Sequence, residues 1–433
     1  MYNLLIKNAS VPVSLLGGSD SAETARTDIF IENGAIGQVG PDLPRNQADV
    51  LDARGRYVLP GLIDMDCRCC DPGYENREDF VSVSKSAAKG GFTGIACMPD
   101  TLPVIDNKTV VHYVLHKSRR ESLVQVYPYG SVSRDCAGEH LAEIGEMIKA
   151  GVAAVTNAGS PIDDAALLRN ALRYMRMFDV PLITVCHDAG LAAGGVMNQG
   201  VTANKLGLAG IPREAEETIA ARNIILARYA KTRLHIAPVS TRGTVELIRR
   251  AKADGDPVTC GTCAHFFTLT EESADGYNTL AKTLPPLRTR DDAEALIEGL
   301  LDGTIDVIAS GHAPDAVENV MVEFDRASCA LSALETAFPA AYTALTASGR
   351  MPLAALVGRM SAAPARILSL ANKGRIAAGA DADLFILDTE RPHTVDAAGF
   401  ASKAKYSPYQ GAEMACTVVS AIVNGRIVFL HDA

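Results

Sequence analysis

Eight short apolar, β-rich segments, separated by longer helical stretches, limit the architectures open to this chain. They fall at residues 59–65, 93–98, 124–127, 153–156, 181–186, 233–237, 258–260 and 305–310. Helical patterning fills the gaps, for example over 165–177 and 244–253. Strands that alternate with helices and are apolar on both sides belong in a parallel sheet covered on both faces. Eight such units predict a closed (β/α)8 barrel, here over 56–365. The flanks differ: 1–55 and 366–433 carry short β-rich runs and tight turns. The run Ile29-Phe30-Ile31-Glu32-Asn33-Gly34-Ala35-Ile36 is a strand, an Asn-Gly turn and a strand; residues 382–388 and 417–429 repeat the pattern, the latter through Asn424-Gly425. Two β-rich ends around an α/β middle predict one small β-sandwich-like domain built from both termini. No sequence repeat is visible beyond the structural period.

With 433 residues, 48% of them hydrophobic, the chain can bury a barrel-sized core. No run approaches the ~18 uninterrupted apolar residues of a membrane span. Residues 1–8 read as a strand rather than a signal peptide, and ten cysteines in an unexported chain read as reduced thiols, so the expected compartment is the cytoplasm. A net charge of -10 argues against nucleic acid and anionic membranes as partners.

Chemistry gathers after the first barrel strand, between Pro60-Gly61 and Pro72-Gly73. Asp66 and Arg68 are two apart and point to the same side. They read either as a new anion or substrate site or, more simply, as a buried ion pair, because buried charges are normally paired. Cys67, Cys69 and Cys70, with Cys260 and Cys263, invite a structural zinc, but only the second spacing suits one; free packed cysteines are the plainer reading. His187, His235, His265 and His312 sit near strand ends, where Cys70 with one of them could support metal-free nucleophilic catalysis. No spacing selects a pair, so satisfied pocket histidines are the simpler expectation. Gly194, Gly195 and Gly200 form a glycine-rich loop without the strand-first context of a phosphate site.

Several longer motifs carry a resemblance. They are Gly90-Gly91-Phe92-Thr93-Gly94-Ile95-Ala96-Cys97-Met98-Pro99-Asp100-Thr101, Gly195-Val196-Met197-Asn198-Gln199-Gly200, and the run from Leu206 to Glu216. Val239-Ser240-Thr241, Pro285-Pro286-Leu287-Arg288, His312-Ala313-Pro314, Leu334-Glu335-Thr336-Ala337 and Gly374-Arg375-Ile376 with Gly379-Ala380-Asp381-Ala382-Asp383-Leu384 complete the set. Together and in order, they make the chain resemble the bacterial class I dihydroorotases of the amidohydrolase superfamily over nearly its whole length. The resemblance implies an amidohydrolase-type TIM barrel, one or two zinc ions with a bound hydroxide, and reversible closure of carbamoyl-aspartate to dihydroorotate. Such a zinc needs His nitrogens or carboxylates in an open site.

Carried over position by position, those ligands are replaced. The His-x-His pair is Asp66 and Arg68, and a guanidinium has no lone pair to offer. The acidic ligand falls at Asn157, one ligand His at Val185 before Cys186 and His187, another at Pro238, and the catalytic Asp at Gly311. The carboxylate-binding Arg is Cys70, the Asn of Met-Pro-Asn is Asp100, the Asn before Pro-Pro-Leu-Arg is Leu284, and the His after His-Ala-Pro is Asp315. The expectation is therefore a degenerate, catalytically inactive homologue with no metal and no cofactor. Its altered pocket would hold Asp66, Arg68, Cys70, Asp100, Asn157, His187, His265, His312 and Asp315. Inactive chains of this family serve as structural partners of aspartate carbamoyltransferase, which makes that enzyme the expected partner and a homo-oligomer the expected state. The rival expectations are enzymes: a rebuilt, metal-free site for a cyclic amide, or an active dihydroorotase.

Overall fold

A computed structural model describes residues 3–17 and 23–431. The eight segments form an eight-stranded parallel sheet in sequential order: Leu62–Asp64, Phe92–Cys97, Gln125–Ser131, Ala154–Thr156, Leu182–Thr184, Leu234–Ile236, Val258–Cys263 and Val307–Ala309. The first and last strands meet through one parallel bridge, Cys67 with His312. There the Arg68 N–H donates to the His312 carbonyl (2.9 Å) and the His312 N–H to the Asp66 carbonyl (3.2 Å). Below this bridge, fully buried Asp64 accepts from the Ser310 N–H (2.8 Å) and hydroxyl. The barrel floor is plugged by Ala365, Ile367 and Leu368, packed with Ile63, Ala96, Tyr129 and Val307.

The second sheet draws on both ends of the chain, in the order Arg426–Leu430, Thr417–Val423, Leu384–Asp388, Tyr57–Pro60, Asn3–Pro12, Thr24–Glu32 and Ala35–Gly40, with Asp49–Asp52 alongside Asn3–Pro12. The two Asn-Gly turns close hairpins as the sequence suggests. Asn33 and Gly34 sit at φ 53° and 81°, Asn424 and Gly425 at 48° and 74°, the left-handed pair that matches strand twist. One face of the sheet buries Leu4, Ile6, Ile29, Ile31, Val58 and Ile422. The other puts Phe385, Leu387, Val418 and Ala421 into the main barrel core. Phe385 is fully buried with its ring 5.2 Å from that of Phe338, which lies on the barrel helix Leu334–Ala341.

Two expected boundaries move. The apolar run opening at Leu59 is split by Gly61: Tyr57–Pro60 pairs with Leu384–Asp388 in the small sheet, and only Leu62–Asp64 enters the barrel. The barrel therefore begins several residues later than 56, because a run of apolar residues does not reveal which sheet its hydrogen bonds join. At the far end, residues 400–409 leave the small sheet and lie over the barrel mouth. There Ser402 bonds Glu78, Tyr406 bonds Asp315 and Tyr409 bonds Thr268.

The motifs shared with the family turn out to be structural cement. Glu216, almost fully buried, accepts from the N–H groups of Ser240 (3.0 Å) and Thr241 (3.1 Å) and from the Ser240 hydroxyl. Arg288 donates to that hydroxyl (3.2 Å), to the Asn198 side-chain oxygen (2.9 Å) and to the Ile211 carbonyl (2.9 Å). Asn198 donates in turn to Glu271. The glycine-rich loop is thus clamped by a satisfied polar network, in which buried charges keep their partners. At Gly200, a Cβ would come within 2.3 Å of a Glu271 carboxylate oxygen, so the loop's close packing excludes a side chain there.

A candidate site at the barrel mouth

Parallel barrels present loop chemistry at the C-terminal ends of their strands. A cavity of about 370 Å³ opens there. Asp66, Arg68 and Cys70 line it from the first strand, Met98 and Asp100 from the second, and Ala158, Gly159 and Ser160 from the fourth. Val185 and Pro238 follow from the fifth and sixth, Cys263, His265 and Phe266 from the seventh, and Gly311, Ala313, Pro314 and Asp315 from the eighth.

The expected ion pair forms with a different partner. Arg68 Nε meets Asp100 at 2.7 Å, across two neighbouring strands, and no salt bridge joins it to Asp66. Residues 66 and 68 lie beyond the strand end at Asp64, where strand alternation no longer sets their partners, and the loop after the second strand supplies Asp100 to Arg68. Asp100 raises the guanidinium further above its usual range. Both side chains are about one third exposed (36% and 34%), so solvent leaves this pair worth about 0–1 kcal/mol. The far end of Arg68 reaches the fourth strand, where a Cβ on Gly159 would lie 2.7 Å from Nη2. Asp66 has Cys263 Sγ at 3.8 Å; burial pushes its carboxyl up, with Arg68 pulling the other way.

Cys70 does line the cavity, but burial, reinforced by Asp100, pushes its thiol up to about 12, so it is held as a thiol and not a nucleophile. Asp315 faces Arg77 Nε at 3.2 Å and is held by Tyr406, whose hydroxyl accepts from the Asp315 N–H (2.9 Å) and donates to its carbonyl (3.0 Å). His265 is buried against Phe266, ring centroids 4.1 Å apart, and burial lowers its imidazole to about 3.

Three expected pocket residues lie elsewhere. Asn157 turns away and holds the preceding crossover: its oxygen accepts from the Ser133 hydroxyl (2.7 Å) and N–H (3.2 Å), and its nitrogen donates to the Cys136 carbonyl (3.0 Å). His187 is half-buried outside the cavity lining, its imidazole lowered by burial and by Arg288. His312 sits behind the wall. Its Nδ1 accepts from the Ala333 N–H (3.2 Å), so the ring proton lies on Nε2, facing Glu78 at 3.4 Å. Each of the three follows a strand end, a position that does not by itself set which way the side chain turns.

The sequence reading passed over Arg77, Glu78 and Tyr406. The signal available was a charged pair, Arg77-Glu78, directly before the Asp79 cap of helix Phe80–Lys89. Charges crowded against a helix start that packs on a barrel mouth deserve the same scrutiny as charges on the strand. Among the described residues, no group of three or more His, Cys, Asp or Glu side chains is placed to hold a metal ion.

His265 offers a pH test. Unfolded, its ring takes a proton below its usual 6.5; folded, it does not until about 3. Its contribution to stability is therefore present above 6.5 and lost as pH falls toward 3. Between pH 6.5 and about 5, wild type should lose about 2 kcal/mol more than His265→Gln, read from denaturant midpoints at the two pH values. Parallel curves for the two proteins would show that the ring is already free to titrate.

The sheet order, the mouth cavity and the strand-end loops define the amidohydrolase class of (β/α)8 barrels. Solved structures agree: L-hydantoinase (dihydropyrimidinase) from Arthrobacter aurescens superposes with a TM-score of 0.89 at 26% identity, covering 100% of this chain and 97% of that one. Family models match as Dihydro-orotase-like over 55–244 and Amidohydrolase family over 325–429. The dihydroorotase of Acetivibrio thermocellus is 47% identical over 401 residues, covering 93% of this chain and 94% of the relative. That of Ruminiclostridium cellulolyticum is 45% identical over 408 residues, covering 94% of each. The chain belongs to the dihydroorotase family.

Proposed function

We propose that this chain is a dihydroorotase-family protein of pyrimidine biosynthesis that works without the catalytic metal and without turnover, as a structural partner of aspartate carbamoyltransferase. The observation that carries this reading is Gly311, at the position the family resemblance assigns to the catalytic Asp. It sits at φ +68°, and a Cβ there would lie 2.7 Å from His265 and 2.9 Å from Cys263 Sγ, so the present packing has no room for a side chain. The donor set points the same way. Of the positions that the resemblance assigns to metal ligands, the cavity holds Asp66, a guanidinium, Val185 and Pro238, and the last three offer no lone pair to a cation. Asn157 is committed to Ser133 and Cys136. Names borne by relatives support the pathway; the replaced positions support the loss of chemistry.

Purified protein should contain far less than one zinc per chain and give no turnover above background in either direction of the dihydroorotase reaction. Stoichiometric zinc with turnover would sink the reading. Co-elution with aspartate carbamoyltransferase in size-exclusion chromatography is expected for the scaffold role; two proteins that elute apart would remove it.

A second reading has one observation in its favour. The cavity stays open, and both of its arginines are held through Nε, leaving their terminal nitrogens without hydrogen-bond partners among the described residues. A metal-free cyclic-amide hydrolase would show turnover of hydantoins or dihydropyrimidines in chelator, and lose it in Arg68→Ala.

A further inference from the structure

On the barrel's outer wall, helices Ala165–Met175 and Glu214–Ala230 pack side by side and leave a groove of about 590 Å³ between them. Arg169, Arg173 and Arg176 line one bank; Leu226, Tyr229 and Ala230 line the other. The spacing of four and then three residues stacks the arginines along one stripe, with a rise of ~6 Å from the first to the second. All three are exposed, and none of their guanidinium groups has an ion-pair or hydrogen-bond partner among the described residues. Several nearby cations are matched: Arg228 has Asp254 and Asp256, Arg233 has Asp179, and Arg249 has Glu246 and Asp302, whereas the exposed Lys231 and Arg250 stand singly, outside any stripe. Tyr229 is 83% exposed, and Ile225, one turn before it, is exposed as well. A chain with a net charge of -10 thus sets a row of three unneutralised arginines beside an exposed aromatic ring.

We infer that this groove is a docking surface for an acidic segment of a partner protein, with carboxylates on the arginines and an apolar side chain against Tyr229 and Leu226. Arginine and tyrosine are the side chains that most often anchor protein interfaces, through bidentate carboxylate pairing and a large, rigid contact area. An acidic helix with carboxylates four residues apart repeats every ~6 Å, which matches the Arg169 to Arg173 rise. A second copy of this chain docked groove to groove by two-fold symmetry is disfavoured, because it would bring two arginine stripes into one interface while neither groove lining supplies a carboxylate to neutralise them. The inference does not depend on the barrel mouth being inactive.

The test is fluorescence anisotropy of a labelled glutamate-rich helical peptide carrying one leucine stripe, titrated with the full chain. Saturable binding that weakens with salt is expected, about tenfold weaker in Tyr229→Ala and lost in the triple variant R169E/R173E/R176E. Circular dichroism of both variants should match wild type, since all four positions are exposed. Absence of binding to wild type, or equal binding to the triple variant, overturns the inference. So does displacement of the peptide by duplex DNA at lower concentration, which would mark a general polyanion site. Self-association of wild type that the triple variant abolishes would assign the face to a second copy instead.

Discussion

Replacing Phe385 with alanine should destabilise the protein by about 3–5 kcal/mol, among the largest losses any single truncation here can produce. The residue belongs to the small sheet by its hydrogen bonds, with Leu59 as its cross-strand partner, and to the barrel by its side chain. Its ring is fully buried edge-on to Phe338, and a Cβ on Gly91 would stand 3.1 Å from it, so the barrel wall closes tightly around it. Alanine would leave a cavity whose walls belong to two rigid layers, a sheet and a helix, neither of which can collapse alone. Denaturant titration should show a lower midpoint at unchanged slope. A loss under about 1 kcal/mol would mean that the two sheets are not joined by this contact.

The second large effect is expected at Glu78. Its side chain is fully buried and accepts from His312 Nε2 (3.4 Å), from the Ser402 hydroxyl and from the Lys403 N–H (3.3 Å). Burial pushes the carboxyl up, but the hydrogen bonds from His312 and Ser402 outweigh it and leave Glu78 below the usual range. Glu78→Ala strands three donors at once and should cost about 3–5 kcal/mol, while Glu78→Gln keeps one acceptor and should cost less. The same change should loosen residues 400–409, since the Ser402 hydroxyl and the Lys403 N–H lose their acceptor. Only the Ala401 N–H to Glu335 and the Lys403 ammonium to Asp79 and the Glu75 carbonyl remain on this side. Lys403 and Lys405 in that segment are exposed and should become preferred trypsin sites in Glu78→Ala. Unaltered digestion, with a melting point near that of wild type, would show that Ala401, Lys403, Tyr406 and Tyr409 hold the segment without Glu78.

Both effects concern residues that sequence reading placed imperfectly or not at all. The eight barrel strands were legible because each is a short apolar run with helical patterning between, and burial on both faces writes itself into consecutive residues. The Asn-Gly hairpins were legible because their turns demand left-handed backbone at two adjacent positions. Asp66, Arg68, Cys70, Asp100, His265 and Asp315 line one cavity, and all of them follow strand ends. Asn157 and His312 also follow strand ends, yet their side chains are drawn elsewhere by Ser133 and Cys136 and by Ala333 and Glu78, and half-buried His187 stays outside the cavity lining. Periodicity carries the side of a strand, not the loop that will stand beside it.

By itself, then, the sequence determined the barrel, the two-ended β-sheet and which residue types follow the strand ends, since these depend on hydrophobic period, turn chemistry and residue type. Only the tertiary structure decided that Arg68 pairs with Asp100 rather than Asp66, that Gly61 divides one apolar run between two sheets, and that Gly311 has no space for a side chain. It alone brought Glu78, His312 and Ser402 together across more than 300 residues of chain. The physical reason is common to all of these. Hydrogen bonds, ion pairs and close contacts act over a few ångströms between segments distant in sequence, and no local pattern records which segments those will be.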